Sequence, residues 1–107
     1  MPRHTESMER VSEAVLTTPG HADPELRAAV EAYAASLGSR AGDVPELPGD
    51  LRPYVEKVAK HAYKVVDADI DRLRDAGWSE DAIFELTLAA ALGAARVRLD
   101  AGLRAMR

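Results

Sequence analysis

An imidazole is the side chain whose ordinary pKa lies closest to neutrality, so His61 is the first residue to weigh as a proton carrier. It stands three residues after Val58 and four before Val65. That spacing predicts a place within the apolar stripe of a helix. A histidine there serves either as a structural side chain with one hydrogen bond or as a general base or ligand. Glu85 is the one charge in the run from Ala82 to Ala95. It lies either on a solvent strip near a helix start, where the helix dipole favours an acid, or as a buried carboxylate paired to His61 or Lys64. Asp67, Asp69 and Asp71 alternate along one short segment. The run lacks the glycine and the distal glutamate of a calcium loop, with Arg72 in the glycine's place. A helix cap followed by a solvated helix face explains it better.

The chain has no cysteine among its 107 residues. Disulfides, cysteine–zinc sites and thiol catalysis are excluded together. His4 and His21 fall in terminal or loop segments, and no His-x-x-x-His or Glu-x-x-His spacing occurs. No metal and no cofactor are therefore expected.

The elements that must position these residues are helical. Alanine is abundant, and the aromatics are one Trp, one Phe and three Tyr. Small side chains favour helices that pack closely. Met8, Val11 and Val15 predict a first helix over about 5–17, broken by Thr18-Pro19-Gly20. Asp23-Pro24-Glu25 reads as an N-cap, a proline at the first helical position and a first-turn acid. Leu26, Ala29, Val30, Tyr33 and Leu37 are the stripe of the helix that follows, with Gly38 at its end. Residues 38–50, with Gly38, Gly42, Pro45, Pro48 and Gly49, form a linker. A third helix is expected from Asp50 to about Val66, with Leu51, Tyr54, Val55, Val58, Ala62, Val65 and Val66 inward. Asp67 caps a fourth over about 68–76, closed by Gly77, and Trp78 staples two helices together. Ser79-Glu80-Asp81 opens the last helix.

That last helix is apolar nearly all the way round, which predicts burial on every side. Run to Ala105 it spans about 40 Å at 1.5 Å per residue. Either Gly93 bends or ends it, or another subunit covers it, and a homo-oligomer is the favoured reading. The chain is thus expected to be all-α, one domain over 1–107, with about five helices and a two-helix arm over 1–38. The net charge of -4 and the lack of a basic, aromatic-laced stripe argue against nucleic acid. Arg96, Arg98, Arg104 and Arg107 instead complement a helix end. The segment Met1–Glu6 has no apolar signal core, and no stretch reaches the roughly 18 apolar residues of a membrane span. No membrane partner is expected, and a cytoplasmic location is.

The segment Asp67-Ala68-Asp69-Ile70-Asp71-Arg72-Leu73-Arg74-Asp75-Ala76-Gly77-Trp78-Ser79-Glu80-Asp81-Ala82-Ile83-Phe84-Glu85-Leu86 resembles the carboxymuconolactone decarboxylase and AhpD-like superfamily. There a helix ends in Ala-Gly, a small turn follows, and Ser or Thr with acids leads to Ile-x-Glu-Leu. The alanine-rich continuation through Gly93 and the closing Leu99 and Leu103 also fit, so the likeness covers 51–107. It implies an AhpD-like helical bundle that assembles into oligomers. The family's peroxidase motif, Cys-x-x-Cys-x-x-x-His, falls here on Ala62, Val65 and Asp69, with its upstream acid near Asp50. Alanine and valine supply neither a nucleophilic nor a resolving thiolate. The decarboxylase branch also carries a histidine where Asp69 stands. Tyr63 and Lys64 lie between the two replaced cysteine positions, either lining the space the thiols leave or at the surface.

Two functions follow. One is a non-redox, oligomeric binding protein for a small ligand or a partner chain. The alternative is a cofactor-independent acid–base enzyme, a decarboxylase, isomerase or lactone-opening enzyme, using His61, Glu85 and Tyr63 with Asp69 as proton acceptor. A cavity holding both His61 and Glu85 within about 3.2 Å of each other favours the enzyme. An exposed His61 favours binding.

Overall fold

The protein is described by a computed structural model covering residues 22–37 and 45–106. The helix expected over 5–17, His4, His21, Gly38, Gly42 and Arg107 lie outside those residues. Within them the fold is helical, with four α-helices and no strand. They are α1 (Pro24–Ser36), α2 (Arg52–His61), α3 (Asp67–Asp75) and α4 (Glu80–Ala105).

The start of α1 follows the sequence signal. The Asp23 carboxylate accepts from the Glu25 N–H at 2.9 Å, and Pro24 takes the first helical position, where a missing N–H costs nothing. The α4 start matches too, with the Ser79 hydroxyl accepting from the Ala82 N–H at 3.1 Å. α3 closes as expected. Gly77 adopts φ 106°, the Trp78 N–H reaches back to the Leu73 carbonyl, and the Gly77 N–H reaches Arg74. Only glycine takes that left-handed turn without strain. The Trp78 indole then donates to the Asp50 carboxylate, tying this turn to the entrance of α2.

Two boundaries differ from expectation. α2 ends at His61 rather than Val66, passing through a 3-10 turn (Ala62–Lys64) into extended Val65 and Val66. Paired β-branched residues suit extended backbone. Ala62 and Val66 are consequently exposed instead of inward, and Val65 is half-buried. α3 begins at Asp67 itself, so the capping carboxylate is not Asp67. Asp69 does that work, accepting from the Val66 N–H at 2.9 Å. This is the reciprocal half of a capping box, three residues into the helix.

The core lies where α1 and α2 pack on α4. Val30, Leu51, Val55, Leu86, Ala89 and Ala90 are fully buried in it. α1 and α4 make the most extensive helix contact in the fold. They run in the same direction, with Arg27 near Glu85 and Glu31 near Arg96. Between these pairs the backbones nearly touch. A Cβ placed on Gly93 would lie 2.2 Å from the Glu31 carbonyl oxygen and 3.1 Å from Ala34 Cβ. Gly93 therefore neither bends nor ends α4, which runs unbroken through it. It is the point of closest approach.

The expectation that α4 is buried all round is corrected by its outer side. Ala82, Ile83, Leu86, Ala89, Ala90, Gly93 and Ala94 face the core, but Phe84 is 64% exposed and Leu88 43%. Phe84 and Leu88 thus stay open, whereas Leu92, one turn after Leu88, is buried.

Candidate functional site

The three helices converge on a cleft of about 280 Å³. Ala34 and Leu37 from the end of α1, Ala59 from α2, and Ala94 and Val97 from α4 give it an apolar floor. Lys60, His61 and Arg98 complete the lining with basic side chains. The volume is near the low end for small-molecule sites, whose walls are mostly apolar with a few polar groups. Arg98 also holds the cleft's shape. One of its guanidinium nitrogens donates to the Ala59 carbonyl at 3.1 Å. That carbonyl belongs to the last turn of α2, where acceptors lack helical partners.

His61 reaches this cleft by leaving its helix. Its backbone sits at φ -144°, ψ 55°, so the stripe that buries Tyr54 and Val58 does not carry it inward. Its ring is exposed and meets the Tyr63 ring edge-on, with centroids 6.0 Å apart at 85°. Tyr63 itself is 81% exposed. Lys64 Nζ lies 5.8 Å from the Tyr63 ring centre, so Tyr63 sits between His61 and Lys64 on the surface.

Glu85 is not brought to His61. Its carboxylate accepts from the Ala22 N–H at 3.3 Å and lies 3.9 Å from Arg27 Nε, at the other end of the α1–α4 contact. It is mostly buried, so the solvent-strip reading is corrected: it packs where the chain enters α1. Asp69 also stands apart. Lys57 Nζ donates to both of its oxygens, at 2.9 and 3.0 Å. The Val66 N–H first, and then the Lys57 ammonium, hold its carboxyl below the usual aspartate range. A carboxylate stabilised in this way is a poor proton acceptor near neutral pH. Of the four residues singled out for chemistry, only His61 lines the cleft, with Tyr63 beside its ring.

Sequence reasoning missed Arg98 and Val97. Arg98 was read as a dipole-complementing charge, which its bond to the α2 terminus partly bears out, though the helix end it serves is not its own. The signal for the cleft lay in alanines at 59 and 94, whose short side chains leave space between helix ends. Among the described residues, no three His, Asp or Glu side chains converge in a way that could hold a metal ion. None of the described helices is long and apolar enough to cross a membrane.

Comparison with protein families, with curated proteins and with solved structures finds no match for this chain.

Proposed function

We propose that this chain is a non-redox binding protein that takes a small, largely apolar molecule with an anionic group into the α1–α2–α4 cleft. The scaffold is that of a cysteine-less member of the carboxymuconolactone decarboxylase and AhpD-like superfamily, working as a homo-oligomer in the cytoplasm. The observation that carries the reading is the composition of the cleft: an apolar floor with three basic side chains and no carboxylate among the described residues that line it. Apolar contact area supplies affinity, and Lys60, His61 and Arg98 orient the charged end. The family likeness is supported by the order helix, Gly77 turn, Ser79-capped helix along 67–86.

The acid–base alternative draws less support. It requires a base held by a second group, and Glu85 and Asp69 are engaged elsewhere. Titration of the isotopically labelled protein with 2-naphthoate, followed by NMR, tests the binding reading. Saturable shifts centred on Ala59, His61, Ala94 and Val97 are expected. Val97→Glu, which places a like charge on the floor, should weaken binding at least about tenfold, a penalty of roughly 1.4 kcal/mol. Shifts scattered over the surface, or equal binding by the variant, would remove the proposal.

A further inference from the structure

His61 closes α2 with its backbone outside the helical region, and its exposed ring stands on the rim of the cleft. The groups that face it carry positive charge or none. Its own helix gives Lys60, and α4 gives Arg98. The turn that follows α2 gives the Tyr63 ring, edge-on at 6.0 Å, with Lys64 beyond it. From α1 come only Ala34 and Leu37. No carboxylate stands among the described residues of the lining. None of Lys60, His61, Lys64 and Arg98 joins an ion pair with a described acid.

Of these side-chain types, only imidazole changes its charge between about pH 5 and 8. Lysine and arginine are cationic across that range, and the tyrosine phenol is neutral. Protonated His61 is therefore a further cation next to Lys60 and Arg98, and nothing in the described lining already compensates it. An anion seated in the cleft is attracted more strongly when that charge is present. Arg98 is ready for such a group. One guanidinium nitrogen is fixed on the Ala59 carbonyl, and its other N–H groups remain for a carboxylate. Proton and anion then raise each other's affinity by the same factor, since coupling between two bound species is reciprocal.

We infer that the cleft binds its anionic ligand together with a proton carried on His61, holding it more tightly in mildly acidic surroundings and more loosely as pH rises. This deepens the binding reading above and rests on it. The ligand class is narrowed to amphipathic anions still ionised near about pH 5, such as carboxylates and sulfonates. A phenol of similar size is neutral there and has no charge for the proton to answer.

Titration of the full chain with 2-naphthoate at about pH 5.5 and about pH 8 tests this, across the range in which imidazole titrates. Ionic strength is kept low and constant, because exposed charges are screened by salt, and circular dichroism verifies the fold at both pH values. Affinity should be about three- to tenfold higher at the lower pH. 2-Naphthamide, the same ring system without the charge, should bind equally at both. His61→Gln should give a flat profile, weaker than the wild type at the lower pH. His61→Arg, whose charge is fixed, should also give a flat profile, tighter than that of His61→Gln. In saturating naphthoate the NMR titration of the His61 ring protons should move to higher pH, which a merely structural histidine would not show. Saturable naphthoate binding without a pH step would overturn this inference and leave the cleft reading standing. A step that persists in His61→Gln, or that naphthamide shows equally, has the same consequence. Naphthoate that binds at neither pH overturns both.

Discussion

Gly93→Ala should destabilise this protein although it improves the helix that carries it. An alanine inside a helix is worth about 1 kcal/mol over glycine, because glycine loses more backbone freedom. Against that gain stands the crossing of α1. The new methyl would sit 2.2 Å from the Glu31 carbonyl oxygen, where contact between such atoms is comfortable at about 3.5 Å. The obstructing atom is backbone, so no rotamer change relieves it. α1 must retreat by about 1 Å, and a gap of that size forfeits up to about half of the dispersion energy of each atom pair it opens. Overpacking of this kind costs about 1–3 kcal/mol, and the rigid partner puts Gly93 at the upper end. The net expectation is a loss of about 2 kcal/mol, or about 8 °C in Tm for a domain of this size. Gly102 lies in the same helix with nothing within 4 Å of its would-be Cβ. Gly102→Ala should stabilise by about 0.5–1 kcal/mol. Urea unfolding followed by circular dichroism reads both variants. If Gly93→Ala were as stable as the wild type, or moved in the same direction as Gly102→Ala, the close crossing would be wrong.

Other perturbations probe separate parts of the fold. Asp69 is held below the ordinary aspartate value near 3.9 by the Val66 N–H and Lys57, so its stabilising effect is complete above that ordinary value. The effect disappears as pH falls through the folded-state pKa. Asp69→Asn should therefore be less stable than the wild type at pH 7, with the two converging in acid; a urea midpoint gap that stays constant from pH 7 to pH 2 would contradict this. Leu86 is 1% exposed, and Leu86→Ala should cost about 3–5 kcal/mol, enough to threaten folding at 37 °C; a loss under about 1 kcal/mol in thermal unfolding would place Leu86 outside the core. Asp50→Ala removes the acceptor of the sole indole and should cost about 1 kcal/mol, whereas Asp50→Asn, which keeps an acceptor oxygen, should cost less. Equal losses in the two variants would show that the bond to Trp78 contributes nothing.

Much of the fold was legible because its signals are local. Asp23-Pro24, Ala76-Gly77 and Ser79 each decide a backbone terminus within a few residues, and each acts as its type predicts. Where the reading failed, a neighbour three or more residues away had the deciding bond. The end of α2 depends on Val65 and Val66 leaving the helical region and on Asp69 taking the Val66 N–H. Periodicity alone could not see this, and it moved His61 from an inward stripe to an open cleft. Glu85 was misplaced for the same reason: its partners, Ala22 and Arg27, come from the far end of the chain. A bend or end at Gly93 was one of the two readings of the long helix, since a sequence shows a missing side chain but not the backbone that needs the room.

The wall that α1 gives to the cleft is fastened by contacts far off in sequence, such as the Ala22–Glu85 bond across 63 positions. Closing so long a loop costs entropy that short-range pairs such as Asp69–Val66 avoid. Undocking of α1 must nonetheless break its contact with α4, the most extensive in the fold, so its amides should exchange with solvent after those of the lightly packed α3. Ala34 and Leu37 would leave with it, so the pocket exists only while the helix is seated. A molecule held there would act as a clasp on the N-terminal side of the fold, and its affinity and the protection of α1 amides would rise and fall together.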